Sequence, residues 1–324
     1  LRAGRAAILI RGAALHDGDA LRWAGRIAAA TGAALYSDTF APRLRRGAGV
    51  VPVQRMPYRA ADALAALAGV RTLILVGSQP PVAFFAYPGQ PSELTPDGTD
   101  LLTLAHPHED GPAALEAVAR ALGLTETSAA VVQPARHGPA QPESGVLDAV
   151  RIHQGLARLL PEDAIVSDEG VTASFTGYPQ LADAAPHDVV QLTGGAIGDG
   201  LPVATGAAIA APHRPVIVIE GDGSAMYTVQ ALWTQARERL DVTTIIVANN
   251  SYAVLADELD RVGATAGPSA SAVLDLHDPV IDWVRLAGSM GVDATSVADG
   301  PAFDAALRDA LAAPGPHLIE ARTR

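Results

Sequence analysis

The sequence predicts an α/β protein built from two doubly wound domains with mainly parallel sheets. Three observations carry that expectation. Short apolar runs alternate with helical patterns along the chain, as in βαβ units. The length of 324 residues suits two domains of ordinary size. One proline-rich stretch without periodicity separates two such series.

In the first series, Ala6 to Ile10, Thr72 to Val76 and Leu101 to Leu104 read as buried strands. Helical patterns at about 17–31, 59–68 and 112–122 alternate with them. The stretch from Gln133 to Pro142 then carries three prolines and reads as a linker. In the second series, strands are expected near 164–167, 188–192, 215–220, 242–248 and 316–320, with helices between them. The expected division is a first domain over 1–122, a linker over 123–143 and a second domain over 144–324.

Composition narrows the function. Hydrophobic residues make up 49% of the chain but aromatics only 4%, so small aliphatic side chains do the packing. The formal net charge is −12 and no basic run occurs, which argues against nucleic acid as a partner. Lysine is absent, and arginine supplies all the fixed positive charge. Cysteine is absent too, which excludes disulfides, thiolate nucleophiles and cysteine-held zinc. The longest apolar stretch, Leu201 to Pro212, is too short and too glycine-interrupted to span a bilayer. Arg11 ends the apolar run at Ile10 too early for a signal peptide, so a cytoplasmic location is expected.

The chemistry concentrates between residues 216 and 251. Pro215 to Ile219 is a β-branched run that ends at Gly221-Asp222-Gly223-Ser224. A helical pattern follows, with Val229, Leu232, Trp233, Ala236 and Leu240 on one face and Ser224 as its expected N-cap. A strand, a glycine turn and a helix start together aim backbone N–H groups and a positive helix end at an anion. A helix of roughly 13 residues travels about 20 Å. The next strand, Val242 to Val247, returns a similar distance at about 3.3 Å per residue. Asn249 is thereby expected beside Asp222, at the carboxyl ends of parallel strands where such sheets bind ligands. A carboxylate, an amide oxygen and diphosphate oxygens suit magnesium or calcium rather than zinc. Gly-Asp-Gly alone is more often an ordinary turn; the order of all the parts is what points to a metal–diphosphate site.

Three stretches resemble the signature of thiamine diphosphate enzymes of the acetolactate synthase-like and benzoylformate decarboxylase-like kind. They are Gly221 to Tyr227, Gln230 to Thr234 and Asn249 to Tyr252. Upstream, Gly194 to Pro202 is similar to that family's cofactor loop. The resemblance covers the second domain closely, and the first domain looks like the family's middle domain.

The resemblance implies a role for each matching residue. Asp222 and Asn249 would hold Mg²⁺, with the backbone carbonyl of Ser251 as a third ligand. Gly223 and Ser224 would donate backbone N–H groups to the diphosphate, and Gly221 and Tyr252 would belong to the same cofactor-binding set. Gly170, Val171 and Thr172 would give a second set of diphosphate contacts. The carbonyl of Gly195 would accept from the cofactor's 4′-amino group, beside Ala196, and Ile197 would bend the cofactor into its V shape. The bend brings the cofactor's own nitrogen base to the C2 proton, and the cofactor then accepts electrons as a 2-oxo acid loses CO₂. Val254 and Leu255 match substrate-pocket positions, although core packing explains them equally well.

Within the family, Ser251 to Leu255 and Glu258 to Gly263 look most like the carboligating, acetolactate synthase-like branch. A simple 2-oxo acid decarboxylase is the alternative, and a non-catalytic cofactor-binding fragment that assembles with a separate chain is another. The family activates the aminopyrimidine ring with a glutamate from an N-terminal pyrimidine-binding domain, usually across a dimer interface. These residues begin at the middle-domain resemblance. They are therefore expected to be inactive without that domain in cis or in trans, and to work as a homodimer or homotetramer. Glu169 and Glu220 fall on the diphosphate side and do not replace that glutamate.

Other candidates carry less. His106, His108, Glu109 and Asp110 suggest either a metal cluster or a solvated loop. Gly77-Ser78-Gln79 follows a strand but lacks the Gly-Lys-Ser/Thr ending of a nucleotide triphosphatase. No Gly-x-Gly-x-x-Gly occurs in the first domain, so FAD is not expected there. Met226 and Trp233 are expected in the core, and the acidic residues at 257–260 on a solvated helix face.

Overall fold

The computed structural model describes residues 5–134, 142 and 144–323. The chain divides into two compact units, Leu1–Pro134 and Ala135–Arg324. Among the described residues, no helix is long and apolar enough to cross a membrane.

The first unit is a parallel sheet of β1 (Ala6–Ile10), β2 (Ala34–Ser37), β4 (Gln54–Arg55), β5 (Thr72–Val76) and β6 (Asp100–Ala105), in the order β4-β2-β1-β5-β6. A further short strand, β3 (Arg43–Arg46), stands outside that sheet. The helices are α1 (Ala13–His16), α2 (Gly18–Thr31), α3 (Ala60–Ala66) and α4 (Gly111–Ala121). Every residue of β1 is buried. Ala6, Ile8 and Ile10 enter one core with Leu21, Ile27 and Leu115, while Ala7 and Leu9 enter another with Ala63 and Leu67. A strand covered on both faces reads as an unbroken apolar run rather than an alternation. Asp17 caps α2 by accepting from Asp19 and Ala20, and Gly32 ends it at φ 75°.

Part of the expected linker packs on this unit. Val131 N–H donates to Gly25 O, Gln133 N–H to Val50 O and Gly49 N–H to Gln133 O. Residues 135–141 and 143 of that linker lie outside the described residues.

The second unit carries β7 (Ile165–Glu169), β8 (His187–Gln191), β9 (Val216–Gly221), β10 (Val242–Ala248), β11 (Asp293–Val297) and β12 (His317–Arg322). They stand in the order β11-β12-β10-β9-β7-β8, all parallel. Helices α5 (Ala149–Leu159), α6 (Thr172–Gly177), α7 (Gly200–Ala210), α8 (Asp222–Ala225), α9 (Ala231–Glu238), α10 (Ala253–Arg261), α11 (Pro268–Leu274), α12 (Trp283–Ser289) and α13 (Gly300–Ala312) complete it. Ile217, Ile219, Ile245 and Val247 pack against Leu156, Phe303 and Leu307 of α5 and α13. Val216, Val218 and Ile246 pack on the other face against Leu201, Leu232 and Trp283 of α7, α9 and α12. The chain reverses its direction across the sheet between β7 and β9. At such a switch point, the crevice outside the strand carboxyl ends is the natural ligand site.

Two local expectations are corrected. The helix expected after Gly221 is broken into α8 and α9, and Ser224 does not cap it. The Ser224 hydroxyl instead donates to Glu220 Oε1 at 2.5 Å. Trp233 and Met226, expected in the core, are exposed at 52% and 43%, whereas Leu232 is fully buried. Val229, Ala236 and Leu240 do pack with Leu232 on the core side, so only Trp233 of the expected face turns outward.

Candidate functional site

The carboxyl ends of β9 and β10 bring the two expected metal-holding residues together. Gly221 stands opposite Val247 in register, so Asp222 and Asn249 leave adjacent strands within one residue of each other's level. Asp222 is 3% exposed. Its Oδ1 accepts from Gly223 N–H at 2.9 Å and its Oδ2 from Asn250 N–H at 2.6 Å. Those bonds clamp the β9 turn to the β10 turn. Burial raises the Asp222 carboxyl above its ordinary pKa, and backbone N–H donors, Asn250 first, pull against that rise.

The β10 turn is shaped by its own sequence. Asn250 sits at φ 55°, a conformation asparagine tolerates better than most residues. Asn249 Oδ1 accepts from Ser251 N–H at 3.0 Å. A strap from Leu274 to Leu276 holds the turn from outside: Tyr252 N–H donates to Leu274 O and Leu276 N–H to Asn250 O, both at 2.9 Å. No periodic pattern marks this strap in the sequence. The Tyr252 ring lies over Gly223, where a Cβ would stand 2.5 Å from it. Glycine is thus required there by close approach.

β7 delivers the third wall. Gly170, Val171 and Thr172 follow its end and start α6. Val171 sits at φ 46°, a strained conformation for a β-branched residue, of the kind found at ligand sites. A Cβ on Gly170 would collide with the Ser174 hydroxyl. The fourth wall is Ile197, in the loop that leads from β8 to α7.

These walls enclose one cleft with about 430 Å³ of empty space, part of it open to solvent. Asp222, Asn249 and Ser251 line it with Gly221, Gly223, Ser224 and Tyr252. Gly170, Val171, Thr172, Ile197 and Val254 line it as well. Gly195 and Ala196 belong to the Ile197 loop but not to the cleft lining, and Leu255 is 47% exposed on α10. Ala173, Val247 and Ala253 also line the cleft and escaped the sequence reading because small apolar residues carry no chemical signature. A carboxylate, a carboxamide and a backbone carbonyl form a hard-oxygen donor set, and the glycines give a cradle for phosphate; the residues fit a magnesium–diphosphate group. Among the described residues, no three His, Cys, Asp or Glu side chains form a metal cage. His106 and His108 stack on each other with centroids 5.8 Å apart, and Glu109 accepts from the His106 backbone.

Beneath the cleft lies a set of buried carboxylates. Glu169 accepts the N–H groups of Gly198 and Gly200. Burial pushes its carboxyl up to about 7. Burial and then the Glu169 charge push Glu220 well above its ordinary value, and Glu220 Oε2 has no hydrogen-bond partner among the described residues. Asp199 is also raised, mainly by burial. Each of these groups binds its proton more tightly folded than unfolded. Their stabilising contribution is therefore complete below the unfolded values and is lost as pH rises through the folded ones. The urea midpoint of the metal-free protein is expected to rise on going from pH 8 to about pH 5.5, by roughly 1–3 kcal/mol of stability. A flat or falling midpoint over that window would contradict this assignment.

Residues 176–321 match the family model described as the thiamine pyrophosphate enzyme C-terminal TPP binding domain. The chain is 47% identical over 325 aligned residues to the Mycobacterium tuberculosis protein named "Putative acetolactate synthase large subunit IlvX", covering 99% of this chain and 62% of that protein. It is 35% identical over 189 residues to benzoylformate decarboxylase of Pseudomonas aeruginosa, covering 58% of this chain and 33% of the relative. The fold is similar to that of the thiamine diphosphate-dependent 4-hydroxybenzoylformate decarboxylase of Rhodococcus jostii RHA1, with a TM-score of 0.78 at 27% identity. That likeness covers 98% of this chain and 61% of the solved one. The chain thus spans less than two thirds of the length of these relatives. Residues 176–321 are thus similar to the C-terminal TPP-binding domain of thiamine pyrophosphate enzymes.

Proposed function

We propose that these residues form the diphosphate- and metal-holding half of a thiamine diphosphate- and Mg²⁺-dependent enzyme that acts on 2-oxo acids. The observation that carries the reading is the single cleft that joins Asp222, Asn249 and Ser251 to the Gly170–Thr172 turn and Ile197. When bound, thiamine diphosphate supplies the nucleophilic carbon and the electron sink for loss of CO₂. Asp222, Asn249 and the Ser251 carbonyl hold the metal, and the Gly223 and Thr172 turns hold the diphosphate. Ile197 would support the cofactor's bend, and the Gly195 carbonyl would accept from its aminopyrimidine. Val254 lines the substrate side, with Leu255 beside it on α10.

The 47% identity to a protein named as an acetolactate synthase large subunit favours carboligation after decarboxylation. The benzoylformate decarboxylase relative and the Rhodococcus structure favour a second reading, release of a free aldehyde. Turnover requires a pyrimidine-binding domain, in cis or in trans, within a homodimer or homotetramer. The purified 324 residues are expected to bind the cofactor with Mg²⁺ yet to release no CO₂ from pyruvate or benzoylformate. Reconstituted with the pyrimidine-binding domain, they are expected to form a new carbon–carbon bond from pyruvate. Thiamine-dependent turnover by the isolated chain would overturn the division of labour, and aldehyde as the sole product would select the decarboxylase reading.

A further inference from the structure

The loop from Thr193 to Gly200 carries Ile197 and Gly195, yet its backbone is intrinsically loose. Gly194, Gly195 and Gly198 all sit at positive φ, at 68°, 70° and 100°. Glycines in that region confer freedom rather than a fixed shape, so something outside the loop must hold it.

One side chain on β7 meets that need. The two carboxylate oxygens of Glu169 divide between two amides of the loop, Oε1 accepting from Gly198 and Oε2 from Gly200. Those amides lie one and three residues beyond Ile197. Asp199, between them, hydrogen-bonds to Glu169 and accepts from the Thr193 backbone. Ser167, two residues earlier on β7, donates to Gly200 O at 2.9 Å. Glu169 is 1% exposed, so its bonds escape competition from water. The fit leaves no slack: a Cβ on Gly200 would collide with Glu220 Oε2 and stand 2.9 Å from Glu169 Oε2. A buried carboxylate beside Glu220 and Asp199 is electrostatically costly. A neutral residue would fill the volume more cheaply, so packing alone does not account for it.

We infer that Glu169 is a positioning residue: by accepting the N–H groups of Gly198 and Gly200, it holds Ile197 and the Gly195 carbonyl where the cofactor's bent form is received. The inference rests on the thiamine diphosphate reading for the identity of the ligand, while the holding of the loop rests on this geometry alone. Glu169 touches no reacting atom and acts through the loop backbone.

The test compares the full chain with Glu169→Ala and Glu169→Gln, reading amide hydrogen exchange at Gly198 and Gly200 without cofactor and calorimetric binding of thiamine diphosphate with Mg²⁺. Glu169→Ala is expected to speed exchange at both amides and to weaken cofactor binding, each at least tenfold, with β9 and β10 unchanged. Glu169→Gln keeps one acceptor oxygen and is expected to fall between Ala and wild type in both readouts. Should the Ala variant fail to fold, the Gln variant alone decides. Unchanged exchange at both amides in a variant with native β9 and β10 protection would overturn the inference. So would faster exchange spread evenly over the sheet, which marks a merely structural group. Wild-type protein that fails to bind thiamine diphosphate overturns the cofactor reading instead, and the exchange arm then still decides whether Glu169 holds the loop.

Discussion

Asp222→Ala is expected to weaken thiamine diphosphate binding in the presence of Mg²⁺ by more than about 100-fold, a loss of roughly 3 kcal/mol. Two effects add. The variant removes the only carboxylate that lines the cleft among the described residues, and with it the charge that a divalent cation requires of its ligands. It also removes the acceptor that joins Gly223 N–H to Asn250 N–H, so the two turns lose their common anchor. Asp222→Asn separates these effects, because the amide oxygen still accepts one of those bonds while the charge is gone. Binding by the Asn variant is expected to be nearly as weak as by Ala. Its metal-free stability is expected to equal or exceed that of wild type, since burial disfavours the Asp222 charge in the absence of metal. Calorimetry checks the first expectation and urea denaturation the second. Binding by the Asn variant within threefold of wild type would remove Asp222 from the metal site.

The largest expected effect on folding lies away from the cleft. Arg158 on α5 and Asp304 on α13 form a two-pronged ion pair, Nε to Oδ2 at 2.9 Å and Nη2 to Oδ1 at 2.8 Å. Their side chains are 6% and 5% exposed. Asp304→Ala strands a buried guanidinium and is expected to lower the stability of the second unit by about 3–5 kcal/mol. Gly155 shows how closely the two helices pack there, since a Cβ on it would stand 2.6 Å from Asp304 Oδ1. The double variant Arg158→Met, Asp304→Leu removes both charges and refills the space. It is expected to recover most of the loss, because the penalty comes from the unpaired charge rather than from the missing attraction. A urea midpoint for Asp304→Ala within about 1 kcal/mol of wild type would show that the pair does not carry this packing.

The α/β class was legible because β1, β5, β9 and β10 are buried on both faces and therefore read as apolar runs. The less legible strands lack that signal. β2 has only four residues between Ala34 and Ser37. β11, at the edge of its sheet, is largely exposed and carries Asp293, Thr295 and Ser296. An edge strand needs apolar residues on one face at most, so its composition resembles a loop. At the candidate site, Asp222 and Asn249 were legible because of the order of strand, glycine turn, helix, strand and asparagine, since either turn alone is common in loops. Glu169 and Glu220 were placed on the diphosphate side, but their meeting was not legible, since nothing in one dimension shows that β7 and β9 are neighbours. The Leu274–Leu276 strap was invisible for the same reason: its bonds to the β10 turn are backbone bonds, which any sequence can make.

The central claim is that the cleft at the ends of β7, β9 and β10 holds thiamine diphosphate through a magnesium ion. A calorimetric titration of the wild-type chain with thiamine diphosphate, with Mg²⁺ and with a chelator, tests it most directly. The account predicts saturable binding at one site per chain that needs Mg²⁺ and weakens at least about 100-fold without it. Binding of equal strength in the chelator, or none in either condition, would contradict it.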